Sequence, residues 1–380
     1  MLMSNWMAMK QKVLPIGLDI GQRCIKMVQL ACADERLKVL SLERAPLELD
    51  RDAPPQERRE AVIRTIRELL GRGKFRGRKV VSALSCDELR ITSLRLTEAE
   101  TFQMDKTLRK EAGQRFGLDT EKDTINYMLA GSVRQGDEAK NEFIVLAADN
   151  EVIKSHILLL EDAGLQPAGI DAAPCALFRS FDRTMRREED KQRTIIFADV
   201  GYGHTTVVFA RSGGICFVKQ IPAGVARFGE EVASKLGIAP ADAEALRVKL
   251  QRGESVDSAT ARSVVDSLTA AAEPLAKELS LCLRYHTVTF RGKRVERAVI
   301  AGGGAYERVL LDVLKRHLSV EIEVGEPLRG LDVGDIEVGE SRDCSSADLA
   351  LAVGLSLKGG RESVAGKAAE VEPVLEGERV

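Results

Sequence analysis

The stretch IFADVGYGHTTVVFA, residues 196–210, places an acid, two glycines and two threonines between two runs of buried-strand composition. A hairpin turn needs only a short Gly, Asn or Asp pair, so the added acid and hydroxyls point to an anionic ligand. Glycine lets backbone N–H groups close on phosphate oxygens, and turns of this kind form concave anion sites. Here Gly201 and Gly203 supply that freedom, with Thr205 and Thr206 as hydroxyl donors. Asp199 has the wrong sign for phosphate; a carboxylate beside phosphates ordinarily holds Mg²⁺, often through water. The layout recurs about 180 residues earlier, where LDIGQRCIKMVQL (18–30) again reads strand, Asp-x-Gly turn, strand, with Asp19 in the place of Asp199. Two such turns facing each other would clamp a polyphosphate and its ion. A third feature, VIAGGGAYERV at 299–309, sets Gly302, Gly303 and Gly304 between a strand and a helix, where a flat ring or sugar can lie on bare backbone. A lone Asp-x-Gly is equally a plain tight turn, and the triple glycine lacks the last glycine of G-x-G-x-x-G. The order of the three features along the chain carries the reading.

The elements that must position these residues alternate between β-type runs (VLPIGLDI, CIKMVQL, LKVLSLERA, RKVVSALS) and periodic helical segments, which means an α/β fold. Residues 57–71 put Val62, Ile63, Ile66, Leu69 and Leu70 on one helical face. Thr97 and Glu100 have capping-box spacing and predict a helix running to about Phe116. NYMLAGSV and NEFIVLAA read as paired strands, followed by a helix over 150–163. Residues 89–165 therefore form a small α/β unit inserted into a first lobe that comprises 13–88 and resumes at 166–193, ending in the charge-dense connector 182–193. A second lobe spans 194–345, with a long helix from about 257 to 285 that Pro274 should kink or interrupt. Residues 346–359 return as a helix, and 360–380 lack an apolar period and read as a disordered tail.

Length and composition bound the function. At 380 residues the chain exceeds a single core of roughly 250–300 residues, so two lobes are expected. The 56 basic and 58 acidic residues nearly cancel and aromatic residues make up only 4%, which argues against nucleic acid as a partner. Seven scattered cysteines without a C-x-x-C pair indicate reduced thiols, not a disulfide frame or zinc site. No apolar run approaches the roughly 20 residues of a spanning helix, and the first residues lack a signal-peptide core. The expected setting is the cytoplasm, with no direct membrane insertion.

An Asp-x-Gly near the start, another mid-chain and a Gly-Gly-Gly strand end late resemble the actin, Hsp70 and sugar-kinase superfamily. The closer resemblance is to the PilM family of actin-like type IV pilus assembly proteins, itself similar to FtsA. It rests on IGLDIGQRCIKMVQL (16–30), DVGYGHTTVVFARSGGICFVKQIPAG (199–224), FGEEVASKLGIAPADAEALRVKL (228–250), VIAGGGAYERVLLDVLKRHLSVEIEVGEP (299–327) and DLALAVGLSLKG (348–359). The resemblance implies a two-lobed actin-like ATPase fold, with duplicated RNase H-like cores closing on ATP and Mg²⁺ and the 89–165 unit as the family's distinctive subdomain.

Carried over by position, it implies cofactor contacts from Asp19, Gly21, Gln22, Arg23 and Lys26 in the first turn. The second turn contributes Asp199, Gly201, Gly203, His204 and Thr205, with Gly224 beside the phosphates. Glu244 is placed for ribose hydroxyls, with Arg247 where a lysine is usual. Gly302, Gly303, Gly304 and Tyr306 line the adenosine, and Asp19 and Asp199 hold Mg²⁺ through water. Gln22 and Arg23 stand where relatives carry serines; Arg23 is read either as a phosphate partner or as a solvent-facing side chain. Tyr202 and His204 replace small residues or threonine, and His204 is either a phosphate contact or a surface residue. In GIDAAPCALFRSF (169–181) Ala173 occupies the place of a glutamate that orients the attacking water, leaving Asp171 as the weak substitute. Binding with slow or absent hydrolysis follows, because phosphoryl transfer depends largely on positioning.

The function so implied is an ATP-binding scaffold that recruits the N-terminal cytoplasmic segment of a PilN-like inner-membrane protein, at the cytoplasmic face of the inner membrane through that partner. Self-association stays open. The alternatives are a small-molecule kinase of the superfamily, which needs a catalytic acid not found at the expected place, and an FtsA-like membrane-tethered filament protein, which wants an amphipathic terminal helix that the acidic C-terminus lacks.

Overall fold

Three β-sheets organise the chain, and two of them have the same plan. The first contains β1 (Lys12–Ile20), β2 (Cys24–Ala33), β3 (Arg36–Pro46), β4 (Lys79–Ala83) and β8 (Gln166–Asp171), in the order β3-β2-β1-β4-β8. The second contains β9 (Thr194–Val200), β10 (Thr205–Arg211), β11 (Gly214–Ile221), β12 (Val295–Ala301) and β13 (Glu321–Val324), in the order β11-β10-β9-β12-β13. Each is an antiparallel meander of three strands joined, through its first strand, to two parallel strands. The two lobes expected from the repeated Asp-x-Gly layout are thus built alike, with β1–β2 and β9–β10 carrying the equivalent turns. The computed structural model describes residues 12–33, 36–49, 53–135, 138–185, 193–290, 295–334, 336 and 346–361. Of the tail expected at 360–380, residues 360 and 361 belong to the last helix, and the rest, like most of the 182–193 connector, lies outside the described residues.

β9 shows why the second lobe holds together. A central strand covered on both faces reads as a continuous apolar run, and TIIFADV is buried along nearly its whole length. Ile196, Ala198 and Val200 face a core that includes Leu275, Ala276 and Leu279 of the long helix α8 (Ser258–Thr289). Ile195 and Phe197 face the opposite side, toward Leu177, Phe178 and Phe181 of α5 (Ala173–Asp182). Of the expected kink or interruption at Pro274, the interruption does not occur: helix α8 runs as one element past it. Proline removes one helical hydrogen bond, whereas the buried residues on either side, Ala272, Leu275 and Ala276, fix the two halves on a single sheet face.

The third sheet, β5 (Arg90–Thr97), β7 (Glu138–Ala148) and β6 (Thr124–Gln135), is the inserted unit's, in the order β5-β7-β6. One face packs on α3 (Met104–Phe116) through Leu108 and Ala112. The other meets the second lobe, where Ala130 and Ile144 share a core with Val208, Ala210 and Val218. The capping box at Thr97 and Glu100 forms as expected, but it caps only the short α2 (Glu98–Thr101) before the chain breaks and restarts as α3. No residue of α2 is buried, so nothing aligns it with the following helix. Helix α4 (Asn150–Asp162), assigned by sequence to the inserted unit, instead packs in the first lobe, where Leu160 joins Ile16 and Leu18 of β1 and Ile66 of α1 (Pro55–Arg72).

Two helices cross between the lobes. Helix α10 (Ala350–Arg361) lies directly on β1, where a Cβ on Gly17 would fall 1.9 Å from the Ala352 carbonyl oxygen. It touches α5 just as closely, since a Cβ on Gly354 would fall 1.9 Å from the Ala176 carbonyl oxygen. Ser356 fastens the same helix to the first sheet, donating to the Pro15 carbonyl at 2.8 Å and accepting from Leu30 N–H at 3.2 Å. Gly354→Ala is expected to lower stability by about 3 kcal/mol or more in chemical denaturation, because overpacked backbone has no side chain that can yield. Gly71→Ala, on a helix surface with open space around the new methyl, is expected to raise it by about 0.5–1 kcal/mol.

Candidate functional site

Each Asp-x-Gly turn is closed by the same hydrogen bond. Gly21 N–H donates to the Cys24 carbonyl at 3.1 Å, and Gly201 N–H to the His204 carbonyl at 2.9 Å. The carbonyls on the outer side of each turn are also engaged. Arg58 of α1 donates to those of Gly21 at 3.2 Å and Gln22 at 3.3 Å. Those of Gly201 and Tyr202 accept from Val225 and Ala226 N–H, at the start of α6 (Ala226–Leu236). The amides of Gln22, Arg23, Tyr202 and Gly203 make no backbone hydrogen bond among the described residues. A cavity of about 300 Å³ separates the two turns, and both line it. The donors available to an anion are therefore the residues just after the glycine of each Asp-x-Gly, not Gly21 and Gly201 themselves.

The acids at the strand ends differ in state. Asp19 pairs across the strands with Lys26, directly opposite in the β1–β2 register, with Nζ to Oδ2 at 2.9 Å. Cross-strand neighbours of opposite charge support each other. Burial works against the Lys26 ammonium, but the Asp19 carboxylate more than compensates and its pKa is raised. The Asp199 carboxylate makes no hydrogen bond or ion pair among the described residues. Burial, then the charges of Asp19 and Asp348, push its pKa up to about 7, with Lys26 acting in the opposite direction. Gly302, at φ +79°, is required here, since a Cβ would stand 2.5 Å from the Asp199 carboxylate.

The structure brings Asp19, Gly21, Gln22, Arg23, Lys26, Asp199, Gly201, Gly203, His204, Gly302 and Gly303 to the cavity wall. Others lie behind it or elsewhere. Thr205 is buried and donates its hydroxyl to the Ala223 carbonyl at 2.7 Å. Its neighbour Thr206, paired with Asp199 in register, faces the cavity instead. Gly224 is a support under the second turn, where a Cβ would stand 2.4 Å from the carbonyl oxygens of both Gly201 and Tyr202. Gly304 packs on Val200. Tyr306 donates its hydroxyl to Asp348 at 2.6 Å; burial and then that carboxylate raise its pKa.

Glu244 and Arg247, on α7 (Pro240–Gln251), are not at the cavity. Arg247 is buried, contacts Glu244 at 2.5 Å and Glu307 at 3.1 Å, and lies over the Phe228 ring, which clamps α7 to the chain entering α9 (Arg308–Leu318). Asp171 is held between Arg179 at 2.8 Å and Lys358 at 3.2 Å, away from the cavity wall, whereas Ala173 is part of that wall.

Arg23 is exposed, as the solvent-facing reading expected, but its guanidinium is engaged. Its guanidinium stands 5.0 Å from the centroid of the Tyr202 ring and donates to the Leu49 carbonyl at 2.9 Å. His204 is likewise a contact between lobes, with Nε2 3.1 Å from Asp87 Oδ1. Asp87, Cys86 and Asp348 line the cavity without having been singled out as site residues, together with Thr206 from the second turn. Which of the two threonines faces Asp199 depends on the β9–β10 register, and Arg58 had no sequence signal. A larger cavity, about 740 Å³, lies between the end of α5 and the β12–β13 edge of the second sheet, but its Arg297 is paired with Glu323 and neither Asp-x-Gly turn reaches it.

With its pKa near 7 in the fold and about 3.9 unfolded, Asp199 is protonated more readily in the native state, so its contribution to stability falls as pH rises between those values. Asp199→Asn is expected to melt at nearly the same temperature as wild type at pH 4. Its advantage should grow to several degrees by pH 7 and then stay level, measured by thermal unfolding without nucleotide or Mg²⁺.

The family model described as type IV pilus assembly protein PilM matches residues 17–360. No curated protein matches the chain. Among solved structures, a chain of a PilM–PilN type IV pilus biogenesis complex is 22% identical, with a TM-score of 0.73, over 91% of this chain and 98% of that one. The ethanolamine utilization protein EutJ from Carboxydothermus hydrogenoformans is 14% identical, with a TM-score of 0.54, over 91% and 89%. The two-lobed, actin-like fold expected from the turns is the fold observed.

Proposed function

The chain belongs to the PilM family of type IV pilus assembly proteins, and from that premise we propose that it is a nucleotide-binding scaffold of the pilus assembly machinery. In this reading the lobes close on ATP and Mg²⁺, and the closed form recruits the N-terminal cytoplasmic segment of a PilN-like inner-membrane protein. The observation that carries the nucleotide part is the symmetry of the two turns: the same closing hydrogen bond, outer carbonyls engaged, and unused amides beside one shared cavity. Amides so arranged receive anions.

The residues fit a divalent cation. Asp19, Asp199 and Asp348 share the cavity, and Lys26 opposes the burial and the repulsion that together raise the Asp199 pKa. Among the described residues no three acid, histidine or cysteine side chains cluster tightly enough to hold a metal directly, so Asp19 and Asp199 would hold Mg²⁺ through water. The ion would neutralise phosphate charge. The amides of Gln22, Arg23, Tyr202 and Gly203 would take the phosphate oxygens, and Gly302 and Gly303 would present bare backbone to the nucleoside. Arg247 and Glu244, already paired with each other, would meet a ribose only after rearrangement.

Slow turnover is part of the proposal. At Ala173 a methyl group faces the cavity, and Asp171 is neutralised by two cations. No carboxylate is therefore placed there to orient water. The partner part rests on the likeness to the PilM–PilN complex. No described helix is long and apolar enough to cross a membrane, and in this reading the link to the inner membrane is the partner's.

Calorimetric titration with ATP should show binding that requires Mg²⁺ and strengthens capture of a synthetic PilN-like N-terminal peptide. Asp199→Ala should weaken that binding at least tenfold, and a wild-type protein that binds no nucleotide would sink the reading. Ala173→Glu should raise phosphate release several-fold; an unchanged rate in a variant that still binds ATP counts against the water-orienting position.

A further inference from the structure

Four residues depart from what the family resemblance leads one to expect, Gln22 and Arg23 in the first turn and Tyr202 and His204 in the second, and in the structure they meet one another. Arg23 lies over the Tyr202 ring. The Gln22 amide nitrogen is 3.4 Å from His204 Nδ1, and His204 Nε2 reaches back to Asp87 of the first lobe at 3.1 Å. Cys86 Sγ and Thr206 Oγ1, 3.6 Å apart, add a further contact between the lobes. The Gln22 carboxamide lies against the α-carbon of Gly203: a Cβ there would be 2.3 Å from its oxygen and 3.0 Å from its nitrogen. Gln22 thus bridges the gap between the two sets of unused amides.

A phosphate chain running between the turns would have its last phosphate bracketed by amides from both lobes, and that is the space the Gln22 side chain fills. We propose that Gln22, held across Gly203 by His204 and by the neighbouring Arg23–Tyr202 stack, sets the phosphate number this site accepts, favouring a nucleoside diphosphate over a triphosphate. The proposal rests on the nucleotide reading above. A triphosphate must displace the carboxamide and part the Gln22–His204 contact, whereas a diphosphate can use the first-turn amides with Gln22 in place. A serine at this position has no atoms long enough to span the gap. The His204–Asp87 contact is exposed at its acid end, so it orients the imidazole without adding much stability.

The test is calorimetric titration of the full chain with Mg·ADP and with a non-hydrolysable Mg·ATP analogue, for wild type, Gln22→Ser and His204→Thr. Wild type should bind the diphosphate more tightly. Gln22→Ser should shift the diphosphate-to-triphosphate affinity ratio at least tenfold toward the triphosphate, and His204→Thr should shift it the same way by a smaller factor. Ligand-induced shifts in melting temperature supply a second readout with the same ranking. Binding of both nucleotides with an unchanged ratio in Gln22→Ser overturns this proposal alone. Failure of wild type and both folded variants to bind either nucleotide overturns the nucleotide reading with it.

Discussion

The architecture depends on one steric constraint, the absence of side chains where helix α10 crosses β1 and α5. Gly17 and Gly354 let backbone rest on backbone, at separations that a methyl group would violate. Because α10 is fastened to the first sheet and α5 shares a core with the second, this contact fixes the distance between lobes. Interiors pack at crystal-like density and transmit strain, so the width of the cleft above the crossing is set by these two glycines. The facing of the two Asp-x-Gly turns across about 300 Å³ is a consequence.

Within that cleft the electrostatics are unbalanced by design of the duplicated halves. Each lobe delivers an aspartate to the same place, and only the first lobe supplies a lysine to go with it. One acid is therefore paired and the other is held near neutrality by its surroundings. Such a site gains most from a cation that arrives with a ligand, since neutralising a buried carboxylate relieves a penalty that solvent cannot reach. Burial also raises the pKa of both cleft thiols, Cys24 and Cys86, which disfavours their thiolates.

Much of this was legible in the chain. The repeated strand–turn–strand layout located both turns, the triple glycine located the third cavity edge, and apolar periods located most helices. What failed did so for identifiable reasons. Thr205 and Thr206 are adjacent, and only the β9–β10 register decides which hydroxyl faces Asp199. Helix α4 follows the inserted strands in sequence but finds its apolar surface in the first lobe. Pro274 obeys a local rule that tertiary burial overrides. Arg247 and Glu244 matched by position, yet Glu307, some sixty residues away, satisfies the arginine first.

The sequence by itself determined the fold class, the duplication and the identity of the residues at the two turns, because glycine conformational freedom and β-strand alternation are local properties. Tertiary structure alone decided how the unusual residues are used. Gln22 and His204 are separated by 182 positions, and neither Arg23 nor Tyr202 carries any sign of the other. Only the docking of two lobes on their crossed helices makes four separate departures into one contact across the cleft, because interactions between side chains depend on distance in space and not along the chain.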